Sequence, residues 1–409
     1  MAASTTAIRQ RATLLVGLAY AAFVSLGLPD GLTGVAWPSV RTTFGLPLDA
    51  LGALITMSGL GYLVSSFTSG RMLARIGVGG LLALSCLATA ISLLGYGFAP
   101  LWAVMVGLGL LAGLGGGAID AGLNTYAAEN FSPRTMNWLH ASFGLGAATG
   151  PIIMSSVISA GQSWRLGYGI VGVAQLILAG CFALTRNQWQ AQAEAVETAP
   201  TPSAPMVRTL SLPSAWLSIL LFFLYTGLEI TAGQWLYTLL TEARGMLPAL
   251  AGLWVSVYWG SLTVGRLLSG VVVARIPVRT LLQLAMFGAI LGAVLLWLNL
   301  APWLSLGGIA LLGLSLAPMF PSFISLTPAR MGPSHSANTV GFQIAAAMLG
   351  GASLVSGFGL IADQWGLETL GPFLLVAAVL LTVVYESLER LTRQSEGGEL
   401  SLSARDQER

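Results

Sequence analysis

Charge is what this sequence has least of. Only 8% of its 409 residues are Asp, Glu, Lys or Arg, while 55% are hydrophobic; a soluble globular domain carries about a quarter charged residues. That shortage excludes a soluble enzyme. Lysine is absent altogether, so all 18 basic residues are arginine. Two cysteines, Cys86 and Cys181, stand alone in apolar stretches, with neither the number for a disulfide framework nor the spacing of a metal site. Also missing are a phosphate-binding glycine loop, a cluster of metal ligands and a nucleophile triad. ATP-driven transport and catalysis therefore have no support, and no catalytic residue, metal or cofactor is expected.

What the chain does have is long apolar runs. A bilayer core takes roughly 20 residues of helix to cross, and twelve runs of that order recur, at 12–40, 48–74, 79–99, 101–128, 136–160, 165–186, 213–241, 248–274, 279–299, 302–328, 337–361 and 367–390. They predict an all-α membrane protein embedded in the lipid bilayer. The first run follows Arg9 and Arg11 as a secretory signal would, but eleven more spans follow it and no soluble domain does. Arginine placement sets the orientation, because basic residues favour the cytoplasmic side. With the N-terminus inside, the outer connections hold only Arg41, Arg165 and Arg244, while Arg9, Arg11, Arg71, Arg75, Arg134, Arg186, Arg208, Arg275, Arg279, Arg330 and the tail arginines lie inside. Both termini are expected in the cytoplasm of a bacterial-type cell, with the chain in its inner (plasma) membrane. The net charge of +2 is uninformative about partners; no nucleic-acid partner is expected.

Between the sixth and seventh runs lies NQWQAQAEAVETAPTPSAPMVRTLSLPS, polar and without helical periodicity. On either side the chain repeats itself: Ser69, Gly70, Ala74, Arg75, Ile76, Leu81, Leu82 and Leu84 recur 200 residues later as Ser269, Gly270, Ala274, Arg275, Ile276, Leu281, Leu282 and Leu284. The repeat implies six helices plus six. The expected organisation is an N-terminal six-helix bundle over 1–186, a cytoplasmic linker over 187–212, a C-terminal six-helix bundle over 213–392 and a polar cytoplasmic tail over 393–409.

Parallel bundles meeting on an axis normal to the membrane are what alternating-access transporters use, with a binding site between them near the midplane. At this point the sequence resembles the major facilitator superfamily over nearly its whole length. That family carries G-x-x-x-D-R-x-G-R-R between helices 2 and 3; here the stretch is GRMLARIGVG, in which Gly70, Arg75 and Gly77 match and Ala74 replaces the acid. The resemblance implies a conformational role for this loop. Positive-inside anchoring explains Arg71, Arg75 and Arg275 equally well.

Charged side chains inside a membrane cost at least ~2.5–3.5 kcal/mol each on insertion scales and survive facing a cavity or a partner. Asp30, Asp120 and Glu229 are the three acids that cannot be assigned to loops. A carboxyl group removed from water can exchange protons near neutrality, so each is a candidate proton carrier. In the fourth run Gly109, Gly113 and Gly117 recur every fourth residue and form a smooth stripe for close helix packing. The same stripe reaches Asp120 and Asn124, whose mixture of donors and acceptors suits a sugar; the alternative is a structural bond to a neighbouring helix. LGLPDGLTGVAW places Asp30 four residues before Gly34, and TGLEITAGQW places Glu229 four before Gly233. Duplication sets these acids at equivalent positions, facing each other in the outward half of their helices as a gate, a packing contact or a ligand site. Trp37, Trp235, Tyr237, Tyr258 and Trp259 offer flat faces for a sugar ring or mark the interface, and Gln234 and Gln343 are intramembrane amides. His140 stands at the entrance of the fifth run, as a solvated or structural imidazole rather than a proton relay. His335 is expected in a loop and idle.

A narrower resemblance rests on Asp120 with Asn124 four residues on, on TVGFQIAAAMLGGASL in the eleventh run and on SFGLGA in the fifth. These are similar to the fucose/galactose/glucose:proton symporter branch, and they imply that Asp120 takes part in proton coupling and sugar recognition. In the L-fucose permease type the first-helix Asp lies four residues before a Pro; here Gly34 holds that place before Pro38, and Asp30 lies one turn further back. GAATGP, from Gly146 to Pro151, resembles the front of an antiporter motif in the fifth helix, with Met154 and Ser155 where its closing glycines would stand. The expectation is a monomeric, proton-coupled secondary transporter of a small sugar-like solute. Proton coupling falls to Asp120, Glu229 and Asp30, and substrate binding to Asp120, Asn124, Gln234, Gln343, Trp37, Trp235 and Tyr258. A proton-driven efflux antiporter is the main alternative, and a non-transporting membrane sensor a third.

Overall fold

The apolar runs are helices because lipid offers no hydrogen bonds and a helix satisfies its own backbone. The computed structural model describes residues 2–189 and 204–407. Helix α1 (Ala2–Phe44) holds the first run, α2 (Leu51–Phe98) the second and third together, and α3 (Trp102–Asn130), α4 (Pro133–Ser159) and α5 (Trp164–Thr185) the fourth to sixth. A short α6 (Met206–Leu210) ends the tether. Then come α7 (Pro213–Thr238), α8 (Pro248–Val272), α9 (Val278–Leu298), α10 (Pro302–Leu316) with α11 (Met319–Met331), α12 (Pro333–Trp365) and α13 (Leu370–Gln407).

Ten helical stretches among the described residues are long and apolar enough to cross a membrane. The 51-residue stretch Leu48–Phe98 holds two spans, because Gly77 adopts φ +70° and ψ 171° and breaks the helix. Glycine alone takes that conformation without strain. Pro248–Val272 is the twelfth span, and it carries Arg266.

Two elements differ from the sequence expectation. The loop expected over Gly70–Gly79 contracts to the break at Gly77, so Gly70 and Arg75 lie exposed on helix just before it. The tenth run divides between Leu316 and Met319, where Pro318 has no N–H to donate into the helix. Across the expected polar tail from 393, the backbone of α13 is helical to Gln407. The middle of the expected linker, 190–203, lies outside the described residues.

The glycine stripe of α3 packs on α2. A Cβ on Gly113 would come within 2.7 Å of the Ser58 carbonyl carbon, and one on Gly117 within 2.6 Å of the Tyr62 carbonyl oxygen. Close backbone approach of this kind is the use of small residues in membrane helices. In the second lobe, Arg330 pairs with Glu389, and Arg279 lies 3.7 Å from Glu386 and 3.9 Å from Glu389, which ties α9 and α11 to α13.

The two lobes touch at the end of the molecule away from the tether. There Arg41 of α1 donates to Glu242, just beyond α7, at 2.8 Å. Gly52 abuts Ser356, and Gly359 abuts the Asp49 backbone. Halfway down, a Cβ on Gly34 would lie 2.8 Å from the Gln234 Cα, so α1 and α7 meet backbone to backbone.

Candidate functional site

Two polar clusters face each other between the lobes. In the first lobe, Tyr62 of α2 donates its hydroxyl to Asp120 Oδ2 at 2.6 Å, and Asn124 Nδ2 donates to Asp120 Oδ1 at 2.9 Å. The glycine stripe makes this possible, since it brings α3 close enough to α2 for a phenol to span the gap. All three side chains are half-buried. Asp120 interacts electrostatically with His140 of α4, and Tyr62 with Asp30 of α1. A carboxylate approached from α2, α4 and its own helix faces the interior rather than lipid.

In the second lobe Glu229 is 6% exposed and fully engaged. Tyr225, one turn earlier on α7, donates to its Oε2, and Arg266 of α8 donates to Oε1 at 3.4 Å. Tyr258 fixes the backbone there by donating to the Glu229 carbonyl at 2.8 Å. Arg266 retains 26% side-chain exposure and interacts with His140 across the lobe boundary. Asp30 of α1 lies close enough to Glu229 for the two acids to repel each other. Of these groups only Arg266 and Glu229 are in contact; Asp120, His140 and Asp30 bear on them, or on one another, through the field across the seam. Asp30 and Glu229 stand just beyond the midpoints of Thr13–Phe44 and Pro213–Ala243.

Several expected site residues are engaged elsewhere. Gln343 is 2% exposed and bonded through its amide to Thr327 of α11 at 3.0–3.1 Å, deep in the second lobe. Trp235 donates its indole N–H to the Val355 carbonyl at 3.1 Å and stacks edge-on to Phe358, so it locks α7 to α12. Trp37 is buried against Trp102, with ring centres 5.7 Å apart. The Tyr258 hydroxyl is taken up by the backbone of Glu229. Gln234 spends its amide N–H on the Asp30 carbonyl at 3.0 Å. These five do not line the half-open cluster around Asp120. The physical reason is tight packing: Gln343 and Tyr258 are bonded within the second lobe, while Trp37, Gln234 and Trp235 are packed dry near the closed contact on the side away from the tether.

His335 is neither in a loop nor idle. It lies in the first turn of α12, and its Nδ1 is 2.9 Å from the Thr209 hydroxyl of α6. Asn338 donates to the Ala204 carbonyl at 2.7 Å, so both side chains pin the end of the tether to α12. Three functional candidates escape the sequence reading: Arg266, Tyr62 and Tyr225. The signal for Arg266 was present, as a charge inside an apolar run. The two tyrosines give none, since apolar spans hold many.

The sequence matches the Major Facilitator Superfamily over residues 18–355. The chain belongs to that family. It is 26% identical over 385 residues to a glucose/mannose transporter, GlcP, of Bacillus subtilis strain 168, covering 91% of this chain and 94% of the relative. It is 23% identical over 351 residues to the sodium-dependent glucose transporter 1A of Mus musculus, covering 75% and 80%. Among solved structures, a point mutant of the nucleoside transporter NupG superposes with a TM-score of 0.77 at 14% identity, covering 92% and 99%. A bacterial homologue of the human lysosomal transporter Spinster, in an inward-facing and occupied conformation, gives a TM-score of 0.71 at 12% identity, covering 93% and 96%. This major facilitator protein is thus a multi-pass membrane transporter of twelve helices in two six-helix bundles, and its relatives are transporters rather than enzymes.

Proposed function

We propose that this transporter imports a hexose-like sugar together with protons across a bacterial inner membrane, with both termini in the cytoplasm. The observation that carries the reading is the cluster Asp120–Tyr62–Asn124, a half-buried carboxylate held only by neutral donors and facing the Glu229–Arg266 pair across the seam. Hydroxyl-rich solutes bind through such convergent donors and acceptors. The glucose-transporting relatives support the substrate class, and the contact of the lobes away from the tether supports an inward-facing state.

Asp120 delivers the proton because it can gain and lose charge without breaking an ion pair. Asn124 and Tyr62 hold the sugar hydroxyls beside it. Glu229 and Arg266 keep the opposite wall polar, and Asp30 lies on the path between them. The seam rocks open and shut around this centre, as alternating access requires. The test is uptake of labelled glucose into proteoliposomes under an imposed pH gradient and, separately, an imposed sodium gradient. Asp120→Asn abolishes pH-driven accumulation while glucose exchange at equal concentrations persists, since a neutral amide binds but carries no proton. Equal accumulation by variant and parent removes Asp120 from coupling. Accumulation by the sodium gradient alone replaces the proton, and glucose expelled by an inward-acid gradient reverses the direction to efflux.

A further inference from the structure

The seam between α1 and α7 holds polar atoms that have no partner. Asp30, Gly34, Trp37 and Arg41 form one stripe along α1, at steps of three and four residues. Thr231, Gln234 and Thr238 of α7, with Glu242 just beyond its end, form the matching stripe. The two stripes meet at three points: Gln234 Nε2 on the Asp30 carbonyl at 3.0 Å, Gly34 against the Gln234 backbone, and Arg41 on Glu242 at 2.8 Å. Between those points the seam is dry. Thr231 and Thr238 are 0% exposed, Trp37 1% and Gln234 2%. Yet Trp37 Nε1, Thr231 Oγ1, Gln234 Oε1 and Thr238 Oγ1 are all buried without a hydrogen bond.

Threonine in a helix has an easy escape, since its hydroxyl can bond the carbonyl one turn back. Buried Thr89, Thr185, Thr327 and Thr339 do so at 2.8–3.0 Å. Thr231 and Thr238 do not. Leaving a buried polar group unpaired is costly, and a seam held together only for packing would be better built from alanine or valine. Donors and acceptors left open along one stripe, next to an indole face, fit a state in which something else bonds them. The indole supplies a donor and a flat ring, the amide oxygen an acceptor, and the hydroxyls either. That set suits a polyhydroxylated ring.

We propose that Trp37, Thr231, Gln234 and Thr238 form a second, outer station for the hydroxyl groups of the solute, exposed when the lobes part at the Arg41–Glu242 end and shut dry in the present state. The station rests on the sugar-transport reading and lies between the Arg41–Glu242 contact and the central acids. A solute arriving from the side away from the tether meets it first. The same groups, rehydrated or bonded to solute, favour the open state by the hydrogen bonds that the closed state leaves unmade.

Cysteine scanning separates the possibilities. In a protein with Cys86 and Cys181 replaced by alanine, Thr231→Cys and Thr238→Cys are treated with a membrane-impermeant maleimide from the side away from the tether. Labelling is expected, and saturating glucose slows it at least fivefold. In parallel, Thr238→Val raises the KM for glucose uptake from that side about tenfold and leaves the maximal rate of exchange within twofold. Unreactive cysteines in a variant that still transports overturn the proposal. So does labelling that glucose leaves unchanged in a protein that accumulates glucose, which leaves the transport function standing. Failure of the parent protein to accumulate glucose under any ion gradient sinks the sugar reading and the station with it.

Discussion

The acids of the two lobes keep different company. Asp120 is held by a phenol and an amide, both neutral, with the His140 imidazole of α4 interacting electrostatically and no arginine bonded to it. Glu229 is bonded to a guanidinium and a phenol and is buried to 6% exposure. A carboxylate facing neutral donors changes the net charge of its site whenever it takes up a proton. One bonded to arginine is part of a compensated pair, and the pair resists change because losing either partner strands a charge. On the proposed reading, proton uptake at Asp120 changes the charge of the first lobe's cluster, while the second lobe holds an ion pair. The proposed coupling uses both: a group that switches, and a wall against which the switch is felt.

The comparison breaks most visibly at Arg266. Replacing it with alanine strands Glu229, and removal of one partner from a fully buried pair costs about 3–5 kcal/mol. With Arg266 at 26% exposure, solvent screening reduces the loss to about 2 kcal/mol. Thermal unfolding of the purified protein in detergent reads the effect, and Glu229→Gln combined with Arg266→Gln regains most of it, as a double-mutant cycle shows for coupled neighbours. If Arg266→Ala unfolds at the parent temperature, the ion pair does not hold the second lobe.

A middle-sized effect sharpens the contrast between the phenols. Tyr62→Phe leaves Asp120 with Asn124 as its remaining bonded donor, and a hydrogen bond to a charged group is worth about 1.5–3 kcal/mol. Glucose affinity, read as KM in proteoliposomes, is expected to weaken about tenfold, the ~1.4 kcal/mol equivalent. Tyr225→Phe leaves Glu229 its arginine, so its effect on KM stays within about threefold. Equal losses in both variants would mean that the two phenols do the same work and that the lobes are not divided as described.

Much of this was legible in sequence. Glycines every fourth residue fixed which face of α3 is packed, and because Asp120 and Asn124 continue that face, their common inward direction could be read directly, though not the hydrogen bond between them. The equivalence of Asp30 and Glu229 came from the repeat. The partners were not legible, because helical periodicity gives a residue's face but not the rotation of the neighbouring helix. Tyr62 and Tyr225 become visible only once α2 and α7 are placed. The amide of Gln343 and the indole of Trp235 look available in sequence, yet Thr327 and the Val355 carbonyl consume them. His335 misled for the opposite reason: its partner, Thr209, lies 126 residues away in the tether.

The smallest effect belongs to the contact that closes the seam. Arg41 and Glu242 are 27% and 30% exposed, and a pair that open to solvent is worth about 0–1 kcal/mol. At ~0.5 kcal/mol, Arg41→Ala shifts the balance between the closed and parted seam about twofold, by RT arithmetic. The rate of maleimide labelling at Thr238→Cys then rises about twofold at low salt. Raising ionic strength to about 1 M, where the Debye length falls to roughly 3 Å, raises labelling of the Arg41-bearing protein by a similar factor and leaves Arg41→Ala unchanged. A salt response that survives the substitution assigns the closure to other charges. A much larger rise on substitution means that Arg41 bears on more than Glu242, and that the outer contact is as strong a lock as the Glu229–Arg266 pair within the second lobe.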